Sequence, residues 1–389
     1  MNMPPTRGFT ASEFEQRTQA VQKHMHDQKL DAILLTTEPN VRYFTGFFTQ
    51  FWLSPTRPWF LVIPLEGKPI AVIPTIGVVG MRDTWIDDVR SWSAPQPDDD
   101  GISLLTNTID QLPKRFGRMG ASLGPESHLR MPMQDFQSLC DNLGSTDVVD
   151  CSRMLLEVCS IKSEAEIEKI QHICELTSDS FVALPEFAKA GDTERQVVQA
   201  MRIDLLQRGA DHTPFIVSAS GPDGYNNIIM GPVDRVLEIG DLLIIDTGTV
   251  YDGYFCDFDR NYAFGKASDG AKRAYDTVFK STEAGFKVAR PGATTSELWR
   301  AMWQVLEDGG AEGNDIGRMG HGLGMQLTEW PSNTETDNTI LKPGMIMTLE
   351  PGMSYDSGKQ MVHEENILIT ESGAVMLTKR AEPELPIII

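Results

Sequence analysis

Histidine is scarce in this chain, seven among 389 residues, and long apolar runs are missing altogether. A helix that crosses a membrane needs roughly 18 or more consecutive apolar residues. No such stretch exists here, so a helical membrane protein is excluded. An excess of positive charge is also missing. There are 34 lysines and arginines against 55 acidic residues, a net charge of −21. Such a balance gives no electrostatic footing on nucleic acid or anionic lipid, and neither is expected as a partner. Cysteine is sparse and unpatterned. Cys140, Cys151, Cys159, Cys174 and Cys256 stand at no metal-binding or disulfide spacing, which fits a reducing compartment. The opening MNMPPTRGFT has no charged-then-apolar signal pattern, so a cytoplasmic location is expected.

What is present is enough for more than one core. A chain of 389 residues exceeds one ordinary domain, and two are expected. Residues 12–30 have the spacing of an amphipathic helix. Ala32–Thr36, Phe60–Ile63 and Pro69–Pro74 are short apolar runs between turns and are expected to be strands. The alternation predicts an α/β N-terminal domain. A new pattern begins with Ser163-Glu164-Ala165-Glu166, a capping box followed by Ile167, Ile170, Ile173 and Cys174 at helical spacing. The expected domains are 1–155 and 156–389.

The second half contains an echo of itself. Residues 187–210 align without a gap on 288–311, matching Gly191 with Gly292, Thr193 with Thr294, Leu205 with Leu306 and Gly209-Ala210 with Gly310-Ala311. Each copy reads as a turn, a capped helix and a glycine stop. A strand follows each: Gly240–Asp246 and Gly344–Glu350 both begin at glycine and end in a carboxylate. The repeat predicts two α+β halves related by a pseudo-two-fold, with Asp246 and Glu350 facing each other across a central site.

Asp246 and Asp257 lie eleven residues apart around the turn Tyr251-Asp252-Gly253-Tyr254, and a hairpin there would bring them together. Two unpaired buried carboxylates repel and take up protons, and a divalent cation removes that conflict. His321 lies among glycines in GHGLG, Glu350 ends an apolar strand, and Glu364 precedes another. Four carboxylates and an imidazole suit two ions of manganese, iron, cobalt or zinc. Two such ions about 3.5–4 Å apart can share and acidify a water while polarising a carbonyl.

In the order Asp, Asp, His, Glu, Glu, carried by IIDTGTVYDGYFCDFDR, GHGLGMQLTEWP, TLEPG and HEENILIT, the chain resembles the family of methionine aminopeptidase, aminopeptidase P, prolidase and creatinase. The match runs over roughly residues 155–380, and Asn40–Gly46 is similar to the prolidase and creatinase N-domain signature. The resemblance implies an α+β pita-bread catalytic domain preceded by an α/β creatinase-type domain. It implies a homodimeric, two-metal hydrolase in which a metal-activated hydroxide attacks the amide carbonyl of a small or short-peptide substrate of the Xaa-Pro type. Asp246 and Glu364 would ligate one side, His321 and Glu350 the other, and Asp257 both. Glu350 would also shuttle protons, with Arg260 orienting carboxylates behind the ligands and Glu329 retained near the reaction.

The sequence also departs from that family. Thr328 stands seven residues after His321, and Ile229 seventeen before Asp246, where peptidases of the family carry histidines that hold the substrate carbonyl. His212 and His363 are the candidates to replace them. Asp259 stands where the family has threonine, and is an extra acid or base, a substrate contact, or a partner for Arg260. Trp52, Arg57 and Trp59 would either cap the substrate from a partner subunit or belong to a core edge. These departures leave open a relative acting on a small non-peptide metabolite, by C–N hydrolysis or elimination. A non-catalytic binding protein of this fold is the third reading, against which the five filled ligand positions speak.

Overall fold

A computed structural model describes residues 3–55, 57–312, 317–356 and 358–389. The chain forms two compact units, Thr6–Cys159 and Ser160–Ile389, with the residues up to Pro5 grouped with the second.

The first unit opens with α1 (Ala11–Gln28). The Thr10 hydroxyl accepts from the Glu13 N–H to start the helix, and Lys29, at φ 57°, ends it. Phe14, Thr18, Val21 and Met25 recur every three or four residues and form its buried stripe. The chain continues through β1 (Ala32–Leu35), α2 (Glu38–Thr45), β2 (Phe60–Pro64), β3 (Ile70–Pro74) and α3 (Val78–Arg82). It then runs through β4 (Asp88–Trp92), α4 (Ile102–Asp110), β5 (Arg118–Ala121), α5 (Met133–Asn142), β6 (Asp147–Asp150) and α6 (Ser152–Ser160). The six strands make one mixed sheet in the order β4-β3-β2-β1-β5-β6. Strands β1 to β3, buried at every position, are continuous apolar runs, as sheet covered on both faces requires. Leu34, Phe60, Val62 and Val72 pack with Leu105, Ile109 and Leu139 from α4 and α5. The helix over residues 12–30, the three strands and the α/β character all match their sequence expectations.

The second unit contains α7 (Glu164–Phe187), α8 (Glu194–Arg208), β7 (His212–Pro222), β8 (Asp241–Tyr251), β9 (Tyr254–Phe255) and β10 (Phe258–Phe264). There follow α9 (Asp269–Val288), α10 (Thr295–Asp308), β11 (His321–Gly322), β12 (Glu329–Ser332), β13 (Ile346–Leu349), β14 (Gly352–Tyr355) and β15 (Lys359–Val362). The last strands are β16 (Glu365–Thr370), β17 (Gly373–Met376) and β18 (Ile387–Ile388). Ser163 and Glu166 form the capping box expected of them. One sheet runs β18-β10-β8-β7 with β9 beside β8, and the other runs β12-β11-β13-β16-β17.

The internal echo is visible atom by atom. Thr193 with Gln196 caps α8, and Thr294 with Glu297 caps α10 in the same way. Gly191 N–H donates to Leu237 O at 2.8 Å, and Gly292 N–H to Leu341 O at 3.0 Å. Each half therefore ties its helix start to the segment just before its central strand. Glu350 directly follows the end of β13, whereas β8 runs on to Tyr251, so Asp246 lies in the middle of its strand and not at the end that the repeat led one to expect.

Candidate metal centre

Asp246 lies in the middle of β8, and a tight hairpin returns the chain toward it. Asp252 and Gly253 both adopt positive φ, 48° and 86°, the geometry of a two-residue turn that matches strand twist. Lys169 fixes this turn through an ion pair to Asp252 at 3.1 Å. Asp257 then immediately precedes β10, where Asp259 sits directly opposite Asp246. Period-two alternation puts Asp257 and Asp259 on one face of that strand.

Asp257 is held from the other sheet. Its backbone N–H donates to Asn366 Oδ1 at 3.0 Å, and the Asn366 amide donates back to the Asp257 carbonyl. His321, on β11, is anchored by its own N–H to the Thr348 hydroxyl at 3.1 Å. Its Nδ1 lies 2.8 Å from the Gly322 carbonyl. A carbonyl only accepts, so Nδ1 carries the proton and Nε2 presents a lone pair. That Nε2 is 3.4 Å from Asp257 Oδ2. Glycine is required beside it. A Cβ on Gly320, at φ 111°, would sit 2.2 Å from the Thr348 carbonyl oxygen, and one on Gly322 would sit 2.4 Å from that of Trp330.

Donor atoms of Asp257, His321 and Glu364, all buried, lie within 4.8 Å of one another. Asp246 and Glu350 border the same cluster and keep partial exposure. Asp246 Oδ1 and Glu364 Oε1 are nonetheless sealed from solvent with no hydrogen-bond partner. The electrostatics follow from this crowding. Burial pushes the Asp246 carboxyl well up, and the charges of Asp257 and Glu350 push it further. Burial also raises Glu364, with Glu350, Asp257 and Asp246 adding to it. Asp257 is raised by burial, against a pull from Arg318. Glu350 is pushed up to about 7 by burial, with His321 opposing and Asp257 adding. The His321 imidazole is lowered by burial and so is neutral. Acids this close, with unpartnered buried oxygens and a neutral imidazole, fit divalent cations better than any other state of the site.

The remaining candidates are placed as follows. Arg260 donates to the Asp259 and Glu364 carbonyls at 2.6 and 3.0 Å, and to the Glu365 carboxylate at 3.0 Å. It thus fixes the backbones under two site residues, not their carboxylates. Of the three roles offered for Asp259, the one as side-chain partner of Arg260 is corrected accordingly: Arg260 meets its carbonyl. The Asp259 carboxylate is buried, 3.4 Å from the Asn261 amide, and raised by burial and by Asp246. Glu329 is engaged at both oxygens, by Lys162 at 2.8 Å and by Gln326 N–H at 3.2 Å.

Neither replacement histidine joins the cluster. His363 precedes Glu364 and points to the opposite side of the chain. There its Nδ1 meets the Thr282 hydroxyl at 2.9 Å and its ring lies edge-on to Phe279. His212 is exposed at the start of β7 opposite Val250, four residues along β8 from Asp246, or about 13 Å at strand rise. Ile229 is 77% exposed. Trp52 and Trp59 are buried within their own unit, ring centroids 5.9 Å apart, so they belong to a core. Arg57 lies over the Phe51 ring.

Sequence reasoning missed Arg318, Lys162, Thr348 and Asn366. Arg318 was signalled by its place three residues before His321, and Lys162 by its place directly before the capping box. Thr348 acts from the neighbouring strand of the same sheet and Asn366 from the other sheet, and no local pattern announces either.

Buried acids gathered around one neutral imidazole define a divalent-metal enzyme. Comparison with known proteins gives the particular family. Residues 168–371 match the model of metallopeptidase family M24, and residues 17–159 match the creatinase/prolidase N-terminal domain. The first match alone spans over half of the chain, and the chain belongs to metallopeptidase family M24. It is similar to a Xaa-Pro dipeptidase of Pyrococcus furiosus, 26% identical over 94% of this chain and 98% of the relative. Among solved structures it is similar to a dipeptidase from Mycobacterium ulcerans, with a TM-score of 0.85 and 25% identity over 98% of this chain and 99% of the other. A prolidase from Thermococcus sibiricus superposes with a TM-score of 0.84, also at 25% identity, over 98% and 100%. The fold is the pita-bread fold, and the protein is a metal-dependent hydrolase. Among the described residues no helix is long and apolar enough to cross a membrane.

Proposed function

We propose that Asp246, Asp257, His321, Glu350 and Glu364 hold two divalent ions and that the enzyme hydrolyses the amide bond of short Xaa-Pro peptides. The observation that carries this reading is the buried convergence of Asp257, His321 and Glu364, with unpartnered oxygens on Asp246 and Glu364 beside it. Ions bound there would polarise the amide carbonyl and lower the pKa of an attacking water.

The chain's own groups account for the rest. Glu350, partly exposed at the edge of the cluster, takes a proton from the attacking water and passes it to the departing amine. The water oxygen bonds to the amide carbon while the C=O π pair moves onto oxygen. Collapse returns that pair and breaks the C–N bond. Arg260 keeps the strand ends bearing Asp259 and Glu364 in register. Asp259 adds a buried acid suited to contact a substrate ammonium group. We further propose a homodimer in which Arg57 and the exposed Phe48, Phe51 and Leu53 form part of the contact surface.

The test is turnover of a panel of Xaa-Pro dipeptides by manganese-, iron-, cobalt- or zinc-loaded protein, with metal content measured in the same samples. Cleavage that tracks about two ions per chain supports the reading. The absence of histidine at Thr328 and Ile229 favours a second one, hydrolysis of a small nitrogen-containing metabolite. Full metal loading without dipeptide cleavage would select it.

A further inference from the structure

Thr328 leaves a gap in the chemistry. Its short hydroxyl occupies the position at which the resembled peptidases place a carbonyl-holding imidazole, and neither His212 nor His363 fills the space. The hydroxyl has a partner instead: Arg318 Nη2 donates to Thr328 Oγ1 at 3.1 Å.

Arg318 differs from the other cations around the centre. Arg260 is spent on two carbonyls, a carboxylate and the Lys379 carbonyl. Lys162 and Lys169 are each paired with a carboxylate. Arg318 is partly exposed, and among the described residues it forms no ion pair. A guanidinium has five N–H donors, and Thr328 takes one. Its charge acts on Asp257, His321 and Glu350 together, opposing the upward shift of both acids and adding to the downward shift of the imidazole. Strand pairing places it: Arg318 precedes β11, Thr328 precedes the antiparallel β12, and Gly322 lies opposite Glu329, so the side chain that reaches Thr328 runs along the strand that carries His321.

We infer that Arg318, steered by Thr328, is a catalytic residue that donates to the carbonyl oxygen of the substrate as it gains negative charge. The inference rests on the hydrolytic reading above. Among the described residues the other guanidinium donors have no partner and are available to that oxygen. A fixed donor aimed at a developing oxyanion stabilises the transition state more than the ground state.

The test separates this role from a structural one and does not depend on knowing the substrate. Inorganic phosphate, a tetrahedral oxyanion, is titrated by calorimetry into manganese-equilibrated wild type, Arg318→Gln and Arg318→Lys, with metal content and melting temperature measured alongside. The expected result is phosphate binding by the wild type, weakened about 10–100-fold in Arg318→Gln at unchanged metal content, with Arg318→Lys between the two. Equal affinity in wild type and Arg318→Gln would show that the ions alone hold phosphate, and would overturn the inference. So would a wild type that binds none. If Arg318→Gln does not fold or load metal, Arg318→Lys decides: weaker binding supports the role and wild-type affinity overturns it. Failure of the dipeptide panel with the phosphate result intact would count against the Xaa-Pro substrate and not against Arg318.

Discussion

At the scale of single residues, the centre works because most of its charges cannot reach water. Glu350 shows the consequence for pH. Its carboxyl is raised to about 7 by burial, against about 4.3 in an unfolded chain. The metal-free folded state therefore binds a proton the unfolded state releases. Its contribution to stability is present below about pH 4 and is lost as pH rises toward 7. Glu350→Gln is expected to make the metal-free protein more stable than wild type above pH 7, with the difference shrinking toward pH 4. Thermal unfolding in chelator across that range checks the sign. Lys162 is the converse case. It neutralises Glu329 at 2.8 Å in a buried pair, and Lys162→Met leaves that carboxylate without its cation, held only by the Gln326 N–H. A loss of about 3–5 kcal/mol in unfolding free energy is expected, read from urea denaturation. An exposed pair such as Lys280–Asp276 should change stability by well under 1 kcal/mol when broken.

Four of the five proposed donors were legible in the sequence because they sit at a strand end or beside a turn with a clear signature: the Asp252-Gly253 hairpin, the GHGLG run, the Pro351-Gly352 break; Asp246, in the middle of β8, was legible as the carboxylate that interrupts an apolar run. Their supports were not. Asn366 reaches Asp257 and Thr348 reaches His321 across sheet partners far apart in sequence, and amide or hydroxyl groups carry no period to read. The same limit explains the two histidines. Alternation along the strand made His363 a doubtful candidate, and the structure turns it toward Thr282. His212 could be judged only once the register of β7 against β8 was known. Arg260 looked like a carboxylate partner by adjacency, yet a side chain on the next residue of a strand points to the other face, and it meets Asp259 through the backbone.

At the scale of elements, two devices hold the proposed donors in place. One is the Asn366 clamp between β16 and the residue before β10. Asn366→Ala keeps both strands but frees Asp257, so metal affinity should fall about 10–100-fold while the fold persists. Metal titration alongside circular dichroism distinguishes the two effects. The other is the approach of β11 to β13 at Gly320. A Cβ there meets a backbone oxygen at 2.2 Å, which cannot swing aside as a side chain would, and its φ of 111° is itself strained for alanine. Gly320→Ala is expected to displace His321, with metal affinity and melting temperature falling together. The repeat shows why so few signals sufficed. Once one α+β half with a capped helix and a carboxylate-bearing strand is recognised, the second follows, and the site lies where those carboxylates face each other.

At the scale of the whole molecule, the protein is a family M24 metallohydrolase whose sequence departs from the resembled peptidases around its proposed centre. Two histidines are absent, an extra acid stands at Asp259, and Arg318, which forms no ion pair among the described residues, stands against Thr328. The most direct test of the central claim is metal stoichiometry. Apo protein is titrated with manganese by calorimetry, and bound metal is counted by elemental analysis, for wild type and Asp257→Ala. The account predicts about two ions per wild-type chain and loss of both in Asp257→Ala, with turnover lost in parallel. A wild type that binds a single ion, or an Asp257→Ala variant that keeps two, would contradict it.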